Sequence, residues 1–281
     1  IVCKGEFEGE EIIGIKLNFS KRYITLAPIA TLIGLAFKMY DPDQLIGETE
    51  NYGITCALLP KGTIGLETGR RHIPIGSPFM NGTITGEDVF IPLDYIIGGV
   101  EQAGQGWKML TDCLAAGRAT TLPAGAMSGA KSALAVTGPY ARAREQFGMP
   151  IAEFEGILEP LGRMAGNSYM ITSSVSTTAM AIGAGEKPSV ISAILKYHST
   201  ELARKIGMDA MDIHGGKAVM LGPKNYLAGG YESTPVGITV EGANIMTRSL
   251  IIFGQGAFRC HPYVLKEIEA VNLEDQNESL E

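Results

Sequence analysis

Hydrophobic and polar positions along this chain change rhythm once, near Gly106. Before it, residues 11–19, 22–25, 31–40, 53–59 and 88–91 form short runs rich in β-branched or aromatic residues. Turn formers such as Asp41-Pro42-Asp43, Lys61-Gly62 and Asn81-Gly82 separate them, the pattern of strands joined by tight turns. Residues 1–7 read as the interior of another strand. A spacing of roughly ten residues between turns predicts a compact barrel or sandwich. Residues 41–52 are acidic and polar and read as a solvated surface loop.

After Gly106 the period becomes helical. Residues 107–114 open the pattern, which resumes through 130–146, with Pro123 and nearby glycines expected to kink or interrupt it. Residues 154–182 carry Ala, Met, Leu and Ser at helical spacing, 183–188 form a turn, and 189–213 are helical again. Ile191, Ile194, Leu195 and His198 are placed on one stripe of that helix, and Gly215-Gly216 stops it. Residues 244–253 and 263–270 read as further short helices, and the tail after Val271 as acidic and frayed. The fold class is therefore α+β: a β domain over 1–100, an antiparallel helical bundle over 101–271, and a disordered tail over 272–281. Helices apolar on more than one face predict self-association, as a homodimer or homotetramer.

Composition narrows the function classes. The chain is 45% hydrophobic and 19% charged, enough apolar material for a core. A net charge of −7 with no basic stripe speaks against nucleic acid. Cys3, Cys56, Cys113 and Cys260 contain no C-x-x-C pair, so a reducing compartment and four buried or half-buried thiols are expected, not a zinc site. His72, His198, His214 and His261 are too scattered to make a metal site by spacing. The longest apolar stretch, 26–37, is interrupted by Pro28 and falls short of a membrane span, and no signal peptide is evident. Neither a G-x-G-x-x-G after a strand nor a G-x-x-x-x-G-K-[ST] is present, which removes the Rossmann and P-loop routes to a nucleotide. Ile1 is not a methionine, and a fragment is expected.

Four segments carry the chemistry. Tyr140-Ala141-Arg142-Ala143-Arg144-Glu145-Gln146-Phe147-Gly148 resembles the Tyr-Ala-x-x-Arg-x-x-Phe-Gly segment of acyl-CoA dehydrogenases. Asp209 to Gly216 is similar to their double-glycine segment, and Ile238 to Asn244 to the stretch bearing their catalytic glutamate. Lys21-Arg22-Tyr23-Ile24-Thr25 is similar to their Lys-x-Trp-Ile-Thr strand. Order and spacing agree, over almost the whole chain. Residues 239–262, with Arg70-Arg71-His72 and 95–99, most resemble the long bacterial acyl-CoA dehydrogenase of fatty-acid degradation.

The resemblance implies a cofactor, FAD, because the reaction moves a hydride that no side chain can accept. It implies Glu241 as the base that removes the α-proton of a fatty acyl-CoA. Its neighbours Val236, Ile238, Val240, Ile245 and Met246 suit a desolvated carboxylate of raised pKa. Gly242 would allow close approach of substrate, with Arg118 near the acyl-CoA site. In the family the backbone N–H at the glutamate and a flavin hydroxyl bind the thioester oxygen. Arg144, Gln146, Phe147, Gly215 and Gly216 match positions that meet the flavin nucleotide across a subunit interface. Tyr23 and Thr25, two apart on a strand and so on one face, match the pair that covers the flavin ring. Each has a plain structural alternative: a first-turn acid for Glu241, helix ends for Arg144 and Gly215-Gly216, and ordinary strand residues for Tyr23 and Thr25. Trp107 is read as a packing anchor.

Asp212, Ala243, Asn244, Ile245 and Phe253 depart from the family pattern, and the family's N-terminal helical domain has no counterpart in the sequence. The implied activity is oxidation of fatty acyl-CoA to trans-2-enoyl-CoA, the first step of β-oxidation, with an electron-transfer flavoprotein as acceptor. The open alternatives are an oxidase using O2 and a non-catalytic binding scaffold. The implied location is cytoplasmic, peripheral at the bacterial inner membrane.

Overall fold

In the computed structural model the described residues are 1–271, with the side chains of Asp112, Ala115, Ala116, Ser189, Arg259 and Cys260 outside the description. The expectations for the tail over 272–281 and for the Cys260 thiol therefore lie outside it. The chain divides into two compact units, Ile1–Cys113 and Leu114 onward.

The first unit holds six strands: β1 (Val2–Phe7), β2 (Glu10–Thr25), β3 (Leu32–Tyr40), β4 (Asn51–Pro60), β5 (Leu66–His72) and β6 (Asn81–Pro92). They form a four-stranded antiparallel sheet in the order β1-β2-β6-β5 and a β3-β4 pair. No closed barrel forms among the described residues. Val2, Ile15, Leu35, Met39, Leu59, Ile84, Val89 and Ile91 share one core, supplied by alternate strand positions.

Several sequence expectations change here. The separate runs at 11–19 and 22–25 are one strand, β2, bulged between Leu17 and Phe19 and again between Lys21 and Ile24. Asn81-Gly82 is not a turn but the start of β6, where Asn81 pairs with both Thr25 and His72. Its buried side-chain oxygen lies 2.8 Å from His72 Nδ1, so a partner on each flank replaces the turn. Residues 66–72 went unread as a strand because Glu67, Arg70 and Arg71 hide the alternation, and β5 is an edge strand, where charge is tolerated. The loop after β3 is less solvated than its composition predicts. Asp41 is fully buried, and its carboxylate accepts from the N–H groups of Leu45 (3.0 Å) and Ile46 (2.9 Å). Trp107 is no packing anchor, being 65% exposed, and the Cys113 thiol is exposed, not buried.

Helix α1 (Gly106–Ala119) leads to the second unit, built on α2 (Thr121–Ala143), α3 (Glu155–Gly183) and α4 (Ser189–His214), which pack on one another. The interruption falls at Thr120, ahead of Pro123, which sits in the first turn of α2 where a missing N–H is harmless. Short strands β7 (Glu145–Gln146) and β8 (Met149–Pro150) form a hairpin after α2. The bundle core is rich in alanine: Ala130, Ala133, Ala141, Ala210 and Ala218 join Met164, Ile171 and Ile206, so backbones approach closely. Arg163 on α3 forks onto Asp209 on α4 at 2.7 and 3.0 Å.

The apolar stripe read on α4 coincides with its buried face only in part. Ile191 and His198 are exposed, whereas Ser192, Ala193, Leu195, Lys196, Ser199 and Thr200 are buried. The chain continues through α5 (Gly216–Val219), α6 (Ala228–Thr239), α7 (Asn244–Met246), a π-helical segment (Thr247–Gln255), α8 (Gly256–Cys260) and α9 (Val264–Val271). The helix read over 244–253 is thus mostly π-helical, a rare form found often at functional sites. Among the described residues no single helix is long and apolar enough to cross a membrane.

Candidate functional site

Seven non-glycine residues among those described hold a positive φ, and three are site residues read from the sequence: Tyr23 (61°), Phe147 (56°) and Glu241 (55°). A side chain in this region crowds the backbone, at a cost of roughly 1–2 kcal/mol. Such residues gather where function needs them.

Glu241 lies in the connection between α6 and α7, three residues ahead of Asn244, so it is not a first-turn acid. Its carboxyl reaches α1, where a methyl group on Gly117 would sit 3.5 Å from Oε1. Oε2 is buried with no hydrogen-bond partner among the described residues. Burial pushes the carboxyl above the usual glutamate range, and the cations of Arg118 and Lys196 oppose the rise. Arg118 does not pair with the carboxylate by the bond seen here, since its Nε donates to the Glu241 backbone carbonyl at 3.0 Å. Gly242, at φ 91°, is required on a second ground: a side chain there would press on Thr247 Oγ1 at 2.9 Å.

Beneath this connection lies a residue the sequence reading passed over. Lys196 on α4 is fully buried. Its Nζ donates to Gly242 O (2.8 Å), Ile238 O (3.2 Å) and Asn244 Oδ1 (2.6 Å). The Asn244 amide donates in turn to Thr200 Oγ1 (2.9 Å) and Glu201 Oε1 (3.0 Å). Burial, and after it the neighbouring Arg118, pushes the ammonium down to about 8, against the attraction of Glu241 and Glu201. A lysine amid apolar helical positions was the available signal, although its partners lie more than forty residues away.

A second cluster joins residues distant in sequence. A cleft of about 490 Å³ is lined by Tyr140, Arg144, Gln146, Ile151, Ile213, His214, Gly216 and Lys217, within the range of small-molecule sites. Arg144 caps α2, Gln146 sits on β7, and Gly215, at φ 55°, ends α4 by donating its N–H to Met211 O. The structural alternatives proposed for Arg144 and Gly215 therefore hold, and the same turns carry Arg144 and Gly216 to the cleft. His214 stacks on Tyr140 at 4.1 Å, and Lys217 Nζ lies 5.2 Å from the Tyr140 ring and 3.9 Å from that of Tyr226. The His214 ring nitrogen Nε2 is buried with no partner among the described residues, and burial followed by Lys217 pushes its pKa down, which favours the neutral imidazole. Cations, an amide and stacked rings suit an anionic ligand that also carries a flat ring. Phe147 is not in the cleft lining; it is 93% exposed and meets Phe154 edge-on.

Tyr23 and Thr25 stay in the β unit. The bulge between Lys21 and Ile24 breaks the regular alternation assumed for them, yet Ile24 packs on the core while both flanking residues are exposed. Tyr23 meets the His72 ring at 5.1 Å. No group of three or more His, Cys, Asp or Glu side chains among the described residues is placed to hold a metal.

Comparison with known proteins adds an independent line. Residues 104–254 match the family described as acyl-CoA dehydrogenase, C-terminal domain. Over 201 residues the chain is 30% identical to the short/branched chain specific acyl-CoA dehydrogenase, mitochondrial, of Bos taurus, covering 71% of this chain and 44% of the relative. A stretch of 103 residues is 54% identical to Protein HemX of Proteus mirabilis, covering 37% of this chain and 61% of that protein. Among solved structures, acyl-CoA dehydrogenase from Geobacillus kaustophilus aligns with a TM-score of 0.75 at 24% identity, over 90% of this chain and 63% of its own. PigA, solved with FAD and proline, aligns with a TM-score of 0.73 at 25% identity, over 91% and 63%. The chain spans about half the length of the curated acyl-CoA dehydrogenases it matches.

Proposed function

The chain belongs to the acyl-CoA dehydrogenase family, and from this premise we propose that it is part of an FAD-dependent enzyme that oxidises fatty acyl-CoA to trans-2-enoyl-CoA, with Glu241 as the base. One observation carries the reading: a glutamate held in a strained backbone conformation, one carboxylate oxygen buried with no partner among the described residues and its pKa raised by burial. A carboxylate that is fully hydrogen-bonded is a poor base; one with an unfilled oxygen has a lone pair to spend on a carbon acid.

The α-proton of a thioester is weakly acidic, so the base works best near the operating pH. Desolvation moves Glu241 toward that range, while Arg118 and Lys196 keep it from being locked in the protonated form. Arg118 and Lys196 hold the carbonyls of Glu241 and Gly242, leaving the side chain as the part free to respond. Gly242 presents bare backbone beside it.

FAD, when bound, supplies the hydride acceptor that no side chain provides. The cleft at the end of α4 fits one part of it. Arg144 and Lys217 offer charge to phosphate oxygens, Gln146 an amide, and the neutral His214 an unfilled nitrogen. Tyr23 and Thr25 are proposed to meet the flavin from the β unit. Exposed Leu158, Tyr169, Met170 and Met180 on α3 support a homo-oligomer. A thioester substrate of long chain, an electron-transfer flavoprotein as acceptor and a role in β-oxidation belong to the same proposal.

The test is flavin bleaching by palmitoyl-CoA in the full-length protein under anaerobic conditions. Glu241→Gln is expected to keep its flavin and lose bleaching by at least roughly 100-fold, the range for removing a positioned base. Equal bleaching in both proteins removes Glu241 from the mechanism, and a full-length protein that cannot be loaded with FAD leaves the scaffold reading in its place.

A further inference from the structure

We infer that Lys196 is a positioning residue for Glu241, its ammonium fixing the backbone on both sides of the carboxylate so that the side chain is presented in one direction. The inference rests on the reading of Glu241 as base and extends it to a residue outside the four short segments from which the site residues were read.

The geometry is specific. An ammonium has three protons to donate, and all three are used on acceptors that bracket residue 241: Ile238 O near the end of α6, Gly242 O directly after the glutamate, and Asn244 Oδ1 at the start of α7. Arg118 takes the Glu241 carbonyl itself, and Thr247 Oγ1 shares the Gly242 carbonyl at 3.0 Å. Two consecutive carbonyls are thus held by cations from two different helices, α1 and α4. Glu241 keeps φ at 55° and Gly242 at 91°, a pair of left-handed residues that a free connection would relax. Asn244 locks the clamp to α4 a second time through Thr200 and Glu201. Burying a lysine completely is costly and is uncommon where packing alone is at stake, because a methionine would fill the same space.

Electrostatics supports the same role. The charged groups facing the carboxylate are Arg118 from α1 and Lys196 from α4, with Glu201 of α4 acting on Lys196. Without the Lys196 cation, the Glu241 carboxyl would rise further.

Full-length, FAD-loaded protein carrying Lys196→Met, Lys196→Arg or Glu241→Gln decides the matter. Two quantities are read: the rate of flavin bleaching by palmitoyl-CoA across pH, and the titration of the carboxyl band that Glu241→Gln deletes from the infrared difference spectrum without substrate. Lys196→Met is expected to keep its flavin, slow bleaching by roughly 10–100-fold through misplacement of the base, and move both the acid limb and the infrared midpoint to higher pH. Lys196→Arg, which keeps the cation, recovers part of the rate. A residue that only fills space gives the opposite order, with methionine near wild type and arginine worse. Should Lys196→Met fail to fold, Lys196→Gln takes its place, and an infrared midpoint equal to wild type overturns the inference. A wild-type rate and midpoint in Lys196→Met, with bleaching lost in Glu241→Gln, overturns it and leaves the base assignment standing. Bleaching retained in Glu241→Gln overturns both.

Discussion

Glu241 keeps a φ of 55° that glycine adopts freely and glutamate does not. It also keeps a carboxyl that burial disfavours in its charged form. Both features lower the stability of the fold, and in the proposed reading both serve the base. Removing the side chain removes both, against the greater unfolded-state freedom of glycine. Glu241→Gly is therefore expected to be at least as stable as wild type, by up to about 1 kcal/mol, while losing flavin bleaching; a melting temperature well below wild type would contradict this. At this scale the sequence was legible only where a segment carried its own signature. Glu241, Gly242, Arg144 and Gly216 announced themselves by their neighbours. Lys196 did not, and Asn244 and His214, though inside such segments, were not read as site residues, because the contacts of all three are made with residues that only the fold brings near.

The long helices were legible from period alone, since α3 and α4 repeat their apolar positions over 29 and 26 residues. What period could not show was which α4 face is buried, because the buried face contains Ser192, Lys196, Ser199 and Thr200, all in hydrogen bonds or contacts of their own. Helix α6 was hidden by Gly229, Gly230 and Pro235, poor helix formers that tertiary packing overrides. Strand β2 was split by its bulges. The alanine-lined contact between helices makes its own prediction. Ala210 is fully buried on α4, and Ala210→Leu is expected to cost about 1–3 kcal/mol by forcing the helices apart. Chemical denaturation would measure the loss, and faster hydrogen exchange of α4 amides would locate it.

For the molecule as a whole, the change of rhythm near Gly106 anticipated a β part followed by a helical part, and the structure shows a hydrophobic core in each. It could not tell a barrel from a four-stranded sheet with a separate pair, because that depends on which strands meet. Stability against pH belongs at this scale, and Lys196 contributes to one window. Its pKa falls from 10.5 to about 8 on folding. Between those values the unfolded chain binds the extra proton, so stability rises with pH there, and the cost returns in full below about 8. Wild type is expected to gain stability relative to Lys196→Met between about pH 8 and 10.5; parallel curves would show that the ammonium is not desolvated.

The left-handed turn at position 241 also leaves a signature in descent. A lineage that gave up the chemistry would feel no pressure to keep glutamate, and the residues that sit there most comfortably are glycine and asparagine. On the proposed function, retired copies of this protein should therefore drift to those two first, which makes the identity of one amino acid a readable record of whether the proposed oxidation is still performed.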